Sequence, residues 1–175
     1  MIYAGNGIWI KAMRKSGHRL LGGIMLLVCL ANADLAMSAE IAGRVDEVVS
    51  GDTIYIVDQQ AKRHKVYLLG IRAPGPKQPY SEESRAYLQR LLFARNDRVR
   101  VAIKKYTRAK NIIGTVFAAY QNSKQFADIN GMMVMAGYAR ANRKTSRRYL
   151  AVERIARNKK IGLWQTAPPG VGKTK

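Results

Sequence analysis

Residues 50–74 read SGDTIYIVDQQAKRHKVYLLGIRAP. Two runs of residues that favour β-strands, 54–57 and 66–69, flank a polar segment that becomes basic at residues 62–65. This pattern predicts a β-hairpin, with a tight turn before its first strand and a glycine and proline corner after its second. One end of the hairpin carries Asp52 and the other carries Arg72. Both side chains can point into a cleft, so we expect any functional site to lie here.

The rest of the chain extends this hairpin into a small α+β domain. Apolar residues at positions 87, 88, 91 and 92 recur at helical spacing. Ser81 is the predicted N-cap of that helix, because two glutamates follow it in the first turn. In all, we predict strands at residues 41–49, 54–57, 66–69, 99–103 and 115–120, and helices from residue 81, over about 128–135 and over about 147–160.

Length and charge limit the function classes. The chain has 175 residues, enough for one domain with a core. It contains 31 Lys and Arg against 11 Asp and Glu, a formal charge of +20. Such an excess favours a polyanionic partner, namely nucleic acid, an acidic polysaccharide or an anionic membrane surface. A hydrophobic content of 47% argues against a disordered basic tail.

The first 39 residues have the pattern of an export signal. Four Lys and Arg precede an apolar run at residues 20–31, which is short for a membrane span. The Ala31-Asn32-Ala33 sequence fits a cleavage site, and Met13 is an alternative start. The single cysteine, Cys29, lies in this run. We therefore expect an exported protein, periplasmic or secreted, with a mature domain at 40–166 and a flexible tail at 167–175.

Cleavage would not remove the basic character. Residues 40–175 keep 27 Lys and Arg against 10 Asp and Glu, a formal charge of +17. We expect no stable membrane span in the mature form, and we expect a monomer.

Several ordered motifs resemble the staphylococcal nuclease (thermonuclease) family. They are Gly51-Asp52-Thr53, Leu68-Leu69-Gly70-Ile71 with Ala73-Pro74, Gln78-Pro79-Tyr80-Ser81, Asp128-Ile129-Asn130, Met135-Ala136-Gly137-Tyr138-Ala139 and Ile161-Gly162-Leu163-Trp164. The resemblance covers about residues 41–166. It implies an OB-fold, that is, a five-stranded antiparallel Greek-key β-barrel with three α-helices. It also implies a calcium-dependent phosphodiesterase ancestry, in which carboxylates bind the metal, a glutamate positions water and two arginines hold the phosphate.

Carried over position by position, the family's site is mostly absent. The first metal-binding aspartate matches Asp52, with Thr53 beside it, and the aspartate that often precedes the turn glycine is Ser50 here. The second metal-binding aspartate falls on Arg72, and the catalytic glutamate falls on Gly75.

The two phosphate-binding arginines are also replaced. The first falls on Tyr67 and the second on Ile113 or Gly114. Arg108 substitutes for the second only if its loop folds back. A tyrosine that stacks on the substrate base in the best-known member of the family falls near Arg143.

Two interpretations stay open at the central residues. Asp52 is either a weak metal ligand or a turn residue that binds its own backbone or Arg72. Arg72 either grips a phosphate or forms a salt bridge with Asp52. The catalytic candidates are thus Asp52, Arg72 and Arg108, and Asp52 is the only metal candidate.

Clustered basic residues form the predicted polyanion-binding set. A charge run is usually a solvated face, but so large an excess favours a polyanion groove. The candidates are Lys62, Arg63, Lys65, Arg72, Lys104, Lys105, Arg108, Lys110, Arg140 and Arg143. Tyrosines at positions 67, 80, 106 and 138 can stack bases, although those at 67 and 138 also suit core or rim packing.

These observations predict an exported, staphylococcal-nuclease-like protein with a degenerate site that binds nucleic acid or another polyanion. One alternative is a divergent metal-dependent nuclease acting on DNA or RNA. Another is an envelope accessory protein that binds an acidic exopolysaccharide of the succinoglycan type, since secreted relatives of the family resemble such proteins. We expect no cofactor, and Ca²⁺ only if the nuclease alternative holds.

Overall fold

The computed structural model describes residues 39–119 and 125–165. The predicted signal, except its last residue, and the predicted tail at 167–175 lie outside the described residues. Within them the chain forms the elements β1 (Glu40–Ser50), β2 (Thr53–Asp58), β3 (Arg63–Leu68), β4 (Ile71–Arg72), α1 (Ser81–Phe93), β5 (Arg98–Tyr106), β6 (Ile112–Ala119), β7 (Phe126–Asp128), α2 (Ile129–Met135), β8 (Arg140–Ala141) and α3 (Arg148–Asn158), followed by a 3₁₀ turn at Gly162–Trp164.

Five of these strands close into a barrel. The strand order is β3-β2-β1-β5-β6, and β3 also pairs with β6, which closes the sheet. All pairings in the barrel are antiparallel except the β3–β6 closure, which is parallel. β7 extends the sheet beyond β6, and β4 forms a separate two-stranded ribbon with β8. The predicted OB-fold with three helices is confirmed.

Alternation along the strands places the core inside the barrel. Ile54 and Ile56 of β2 and Val66 of β3 are fully buried, whereas the intervening residues are at least partly exposed. Leu88 and Leu92 of α1 pack into the same core. No helix in the described part of the chain has the length and hydropathy needed to cross a bilayer.

Asn130 of α2 fastens the point where the barrel closes. Its side-chain Oδ1 accepts from the Val116 N–H at 3.0 Å, and its Nδ2 donates to the carbonyl oxygens of Leu69, at 2.9 Å, and Gly114. A buried amide that satisfies three backbone groups removes a desolvation cost that the parallel edge would otherwise carry.

Two local predictions were wrong. Ser81 is the first helical residue, and the N-cap is Tyr80, which has a left-handed backbone and no side-chain cap bond. The ring of Tyr80 is buried, and that burial offsets the unfavourable conformation. Residues 63–65 were predicted as a turn but lie in β3, because the turn occupies residues 59–62.

Candidate functional site

The two ends of the β2–β3 hairpin meet in space at Asp52. This residue lies in the turn between β1 and β2, and Ala73 follows β4 at the corner after β3. The Ala73 N–H donates to Oδ2 of Asp52 at 2.9 Å. The hydroxyls of Ser50 and Thr53 donate to Oδ1 at 2.8 and 3.2 Å. Both carboxylate oxygens are therefore engaged by the protein itself, which matches the prediction that Asp52 can be a turn residue.

Glycine at position 51 allows this turn to approach α1. A Cβ atom built there would lie 1.8 Å from the Ser84 hydroxyl oxygen and 2.9 Å from the Ala73 Cβ. The Ser84 hydroxyl is fixed in turn, since it donates to the Tyr138 carbonyl at 2.7 Å. The turn that holds Asp52 is thus packed against both the corner and the helix.

Arg72 does not use Asp52 as its partner. Its side chain is exposed, and no ion pair joins it to Asp52 among the described residues. The predicted salt bridge is therefore wrong. In the β4–β8 ribbon Arg72 is instead the register partner of Arg140. Directly paired residues share one face of a ribbon, so the two arginine side chains leave the ribbon on the same face.

These two arginines border a cleft of about 620 Å³. It is lined by Arg72, Ala73, Pro74, Gln78, Pro79, Tyr80, Arg140, Leu163 and Gln165, and none of these described residues is acidic. Burial raises the pKa of the Tyr80 phenol, with smaller contributions from Glu83 and Tyr138. The Tyr80 hydroxyl therefore stays protonated, and it donates to Oε1 of Gln165 at 3.5 Å. The cleft thus combines positive charge with neutral hydrogen-bonding groups.

The indole ring of Trp164 is contacted by two arginines, Arg140 of the cleft and Arg157 of α3. The Arg140 guanidinium is 5.2 Å from the centre of the indole ring and that of Arg157 is 4.1 Å from it. Both distances fall within the range of a cation–π contact. The indole therefore orients Arg140 without neutralising its charge.

The positions that the resemblance aligns with the family's phosphate-binding arginines are neighbours in this fold. Tyr67 of β3 is the register partner of Ile113 of β6 across the barrel closure. Gly114 is buried, and a Cβ there would lie 2.6 Å from the Ala102 carbonyl oxygen. A side chain at Gly114 would clash with the neighbouring strand, whereas Ile113 is half-buried, so of the two positions that the resemblance leaves open Ile113 suits an outward arginine better.

Gly75, which the resemblance aligns with the family's catalytic glutamate, has no steric need to be glycine. A Cβ there would meet only the side chain of Gln78, at 3.7 Å, and its φ is not in the left-handed region. The Gly75 N–H donates to Oε1 of Gln78 at 2.8 Å. The backbone at Gly75 therefore leaves room for a side chain, and a glutamate could occupy this position without a clash.

Arg108 lies in a tight turn between β5 and β6. The Thr107 N–H donates to the Asn111 carbonyl at 2.8 Å, and the Asn111 N–H donates to the Thr107 hydroxyl at 3.1 Å. Arg108 is exposed at this turn and makes no ion pair with any described residue. In the parts of the chain that the structure describes, no three His, Cys, Asp or Glu residues are grouped to hold a metal ion.

The predicted basic residues do not form one patch. Arg72 and Arg140 border the cleft, whereas Lys62 ends the β2–β3 turn and Arg63 begins β3. Arg63 is neutralised there by Asp46 and Glu47, each at 2.6 Å. The remaining exposed residues of the predicted set, on β5, in the loop after it and after β8, are Lys104, Lys105, Arg108, Lys110 and Arg143. Lys65 is half-buried on β3.

The tyrosines also differ in availability. Tyr138 stacks on Tyr87 with ring centres 4.5 Å apart, so it serves packing. Tyr80 is buried in the cleft, Tyr106 is exposed, and Tyr67 is half-buried on the outer face of the barrel.

Sequence reasoning missed the pairing of Arg72 with Arg140. The only signal was the basic residue after the Gly137-Tyr138-Ala139 motif, and a two-residue strand has no periodicity that would reveal its partner.

Comparison with known proteins agrees with this fold. A family profile described as Staphylococcal nuclease homologue matches residues 65–166. The Escherichia coli protein named ParB is 33% identical over 160 residues, which is 87% of this chain and 88% of that protein. An uncharacterized endonuclease of Escherichia coli is 32% identical over 135 residues, covering 76% of this chain and 83% of its own. An uncharacterized endonuclease of Haemophilus influenzae is 33% identical over 128 residues, covering 72% and 67% respectively. The chain therefore belongs to the staphylococcal nuclease homologue family.

Proposed function

We propose that this protein is exported and binds nucleic acid through the cleft bordered by Arg72 and Arg140, without the calcium-dependent hydrolysis of its family. The family membership and the endonuclease names of its relatives support a function related to nucleic acid. One observation supports binding at this cleft without hydrolysis. At the position of a metal-binding aspartate the chain has an exposed guanidinium, paired in register with a second one. Two adjacent guanidinium groups suit the oxygens of a phosphodiester.

The residues at the site do not fit a resident calcium ion. Calcium takes six to eight oxygen ligands, usually including several carboxylates. In the described parts of the chain no three His, Cys, Asp or Glu residues are grouped to hold a metal ion, and the oxygens of Asp52 already accept three hydrogen bonds. Arg72, one residue before the Ala73 donor, adds a positive charge that repels a dication. We therefore propose that the protein works without a metal, and we assign no hydrolytic step to this site.

The export proposal rests on the sequence pattern of residues 1–39 alone. Outside the cytoplasm a domain with a formal charge of +17 would meet extracellular nucleic acid and acidic polysaccharides as competing polyanions. Nucleic acid is the preferred ligand because family membership adds to the charge argument.

Fluorescence anisotropy with labelled DNA and RNA, in buffer with EDTA, tests the binding proposal. We expect the slope of log affinity against log salt to fall by about 1 in each of Arg72→Gln and Arg140→Gln, because each variant loses one phosphate contact. Arg98→Gln is the matched control, since Arg98 is exposed at the start of β5, away from the cleft residues. It should change the slope less than either cleft variant.

Competition with an acidic polysaccharide separates the partner classes. If the polysaccharide displaces DNA at equal charge concentration, and the cleft variants weaken both equally, the ligand is a polyanion of the envelope and not specifically nucleic acid. Unchanged salt slopes in both cleft variants would contradict the role of the cleft.

A metal-dependent nuclease is the second candidate, because several relatives carry the name endonuclease. It predicts that the purified protein degrades DNA or RNA with calcium, magnesium or manganese, and that Asp52→Ala abolishes the activity. Removing a single transition-state donor typically costs about 10²–10³ in rate. Here the positions of both arginines and of the glutamate have lost those side chains, so we expect no measurable cleavage.

A further inference from the structure

We propose that the outer surface of helices α2 and α3 binds the surface of an anionic lipid bilayer. Arginines and lysines of this surface contact the lipid head groups, and two aliphatic side chains enter between the lipids. The proposal goes beyond nucleic-acid binding at the cleft, and none of its residues lines that cleft. We define the α2–α3 face by the residues Met135, Arg147, Arg154, Ile155, Lys159 and Lys160.

The two helices lie side by side with their N-terminal ends together. Tyr149 and Arg148 of α3 both donate to the side-chain carboxylate of Asp128, the N-cap of α2, at 2.8 and 2.7 Å. At the other ends, the Leu163 N–H after α3 donates to the Gly137 carbonyl after α2 at 2.8 Å. The helices are therefore parallel, and residues equally far from their starts lie at the same level.

Ile155 and Met135 lie at one level of the seam between the helices. Ile155 follows Arg148 by seven residues and Met135 follows Asp128 by seven, which is about two helical turns in each case. Because Arg148 reaches Asp128 across the seam, Ile155 lies on the side of α3 that faces α2. Ile155 and Met135 are 49% and 50% exposed. This level of the seam therefore presents two aliphatic groups to solvent.

Unneutralised cations surround this apolar pair. Residues 143–160 contain eight Lys and Arg and a single acid, Glu153, which is buried and paired with Arg157. Arg148 is neutralised by Asp128. The other six cations are exposed, and no ion pair among the described residues involves them, namely Arg143, Lys144, Arg147, Arg154, Lys159 and Lys160.

An anionic bilayer matches both parts of this surface. Each Lys or Arg close to an anionic membrane raises the partition coefficient about fivefold. Aliphatic side chains gain free energy when they leave water for the boundary between head groups and acyl chains. Nucleic acid offers phosphates but no hydrocarbon, and its bases stack on aromatic rings, which the α2–α3 face lacks by its composition. The pairing of charge with aliphatic groups therefore favours a lipid surface.

Co-sedimentation with vesicles tests the α2–α3 face. Vesicles of phosphatidylcholine alone are compared with vesicles of phosphatidylcholine and phosphatidylglycerol in equal amounts. Residues 40–175 are used, because the described strands, helices and core lie within them and because the apolar run at 20–31 would itself bind lipid. We expect binding to the anionic vesicles only, and we expect it to weaken as salt is added.

Four single substitutions separate the contributions of charge and hydrocarbon. Ile155→Gln and Met135→Gln should each lower the partition coefficient about 5- to 10-fold at low and high salt alike, because salt does not screen apolar burial. Arg154→Gln and Lys159→Gln should each lower it about fivefold at low salt and less at high salt. Glutamine is used because it keeps a high helix propensity.

Phe93→Gln and Arg98→Gln are the matched controls. Phe93 is an exposed apolar residue at the end of α1, and Arg98 is an exposed cation at the start of β5. Neither belongs to the α2–α3 face, so both variants should bind vesicles as the parent does. All six substitutions replace exposed residues, so we expect thermal unfolding to change little in any of them.

The outcomes separate this inference from the proposed function. If the control variants lose as much vesicle binding as the face variants, net charge alone explains the attraction and the inference is wrong. If the anionic vesicles do not bind at low salt, the inference is also wrong, and a lowered DNA salt slope in Arg154→Gln would then assign the face to nucleic acid. Neither result changes the test of the cleft, which measures Arg72 and Arg140 variants without lipid.

Discussion

The Asp52 carboxylate lies where donors from two segments of the chain meet. Its three hydrogen bonds join the β1–β2 turn to the Ala73 backbone after β4. A metal ion bound there would have to compete with all three donors. The geometry therefore gives this aspartate a structural task that does not require the chemistry of its family.

Asp52→Ala should lower the free energy of unfolding by about 1–3 kcal/mol, because the N–H of the buried Ala73 loses its acceptor. Affinity for DNA should stay the same or rise slightly, since a negative charge beside Arg72 is removed. Urea unfolding and anisotropy measure the two quantities.

The matched control for that variant is Asp46→Ala. Asp46 is an exposed carboxylate paired with Arg63 at the surface, and its loss should change stability by less than about 1 kcal/mol. A fully stable Asp52→Ala protein, or one with greatly weakened DNA binding, would show that Asp52 has a role other than fastening the corner.

At the scale of the element, β6 closes the barrel with a glycine at its tightest point. A Cβ at Gly114 would lie 2.6 Å from the Ala102 carbonyl oxygen and 2.7 Å from the Val101 Cγ1. Gly114→Ala should therefore destabilise the protein by about 1–3 kcal/mol, as overpacking of a core does. Chemical denaturation measures the change.

Gly75→Ala is the internal comparison for that substitution. Its Cβ would meet only a flexible Gln78 side chain at 3.7 Å, so stability should be unchanged or rise by about 0.4–1 kcal/mol. Equal destabilisation by both substitutions would mean that the close approach at the closure is not the cause.

The long strands and helices could be predicted because their periodicity is local. The β2–β3 hairpin and the helix after residue 81 match their predicted ranges within a few residues. Strands β4, β7 and β8 were missed, since two or three residues carry no alternation. The prediction of Ser81 as the cap was wrong because the burial of Tyr80, a tertiary effect, decides that helix start.

The site was predictable in its residues but not in its contacts. The sequence indicated Asp52 and Arg72, and the structure brings both to one corner. Their partners are the Ala73 backbone N–H and Arg140, which lies 68 positions beyond Arg72 in the sequence. No local pattern encodes such contacts, since they depend on how the β4–β8 ribbon is placed against the barrel.

At the scale of the whole molecule, the acids neutralise cations away from the cleft. Eight of the ten Asp and Glu residues within 40–165 form ion pairs, namely Glu40, Asp46, Glu47, Asp58, Glu82, Asp97, Asp128 and Glu153. None of these lines the cleft between Arg72 and Arg140. The charges of the two cleft arginines are therefore not neutralised by these ion pairs.

If the barrel still presents the family's geometry, four substitutions should restore hydrolysis. Tyr67→Arg and Ile113→Arg place guanidinium groups at two register-paired positions. Arg72→Asp supplies a second carboxylate beside the corner that holds Asp52, and Gly75→Glu uses a position with open space for a side chain. We expect the combined variant to degrade single-stranded DNA with calcium, whereas the parent chain does not. The variant that retains Gly75 but carries the other three substitutions is the control, and it should be slower by about 10²–10⁴, the usual contribution of a general base. Calcium-dependent cleavage by the parent at a comparable rate would mean that the site is intact in a form that these four positions do not describe.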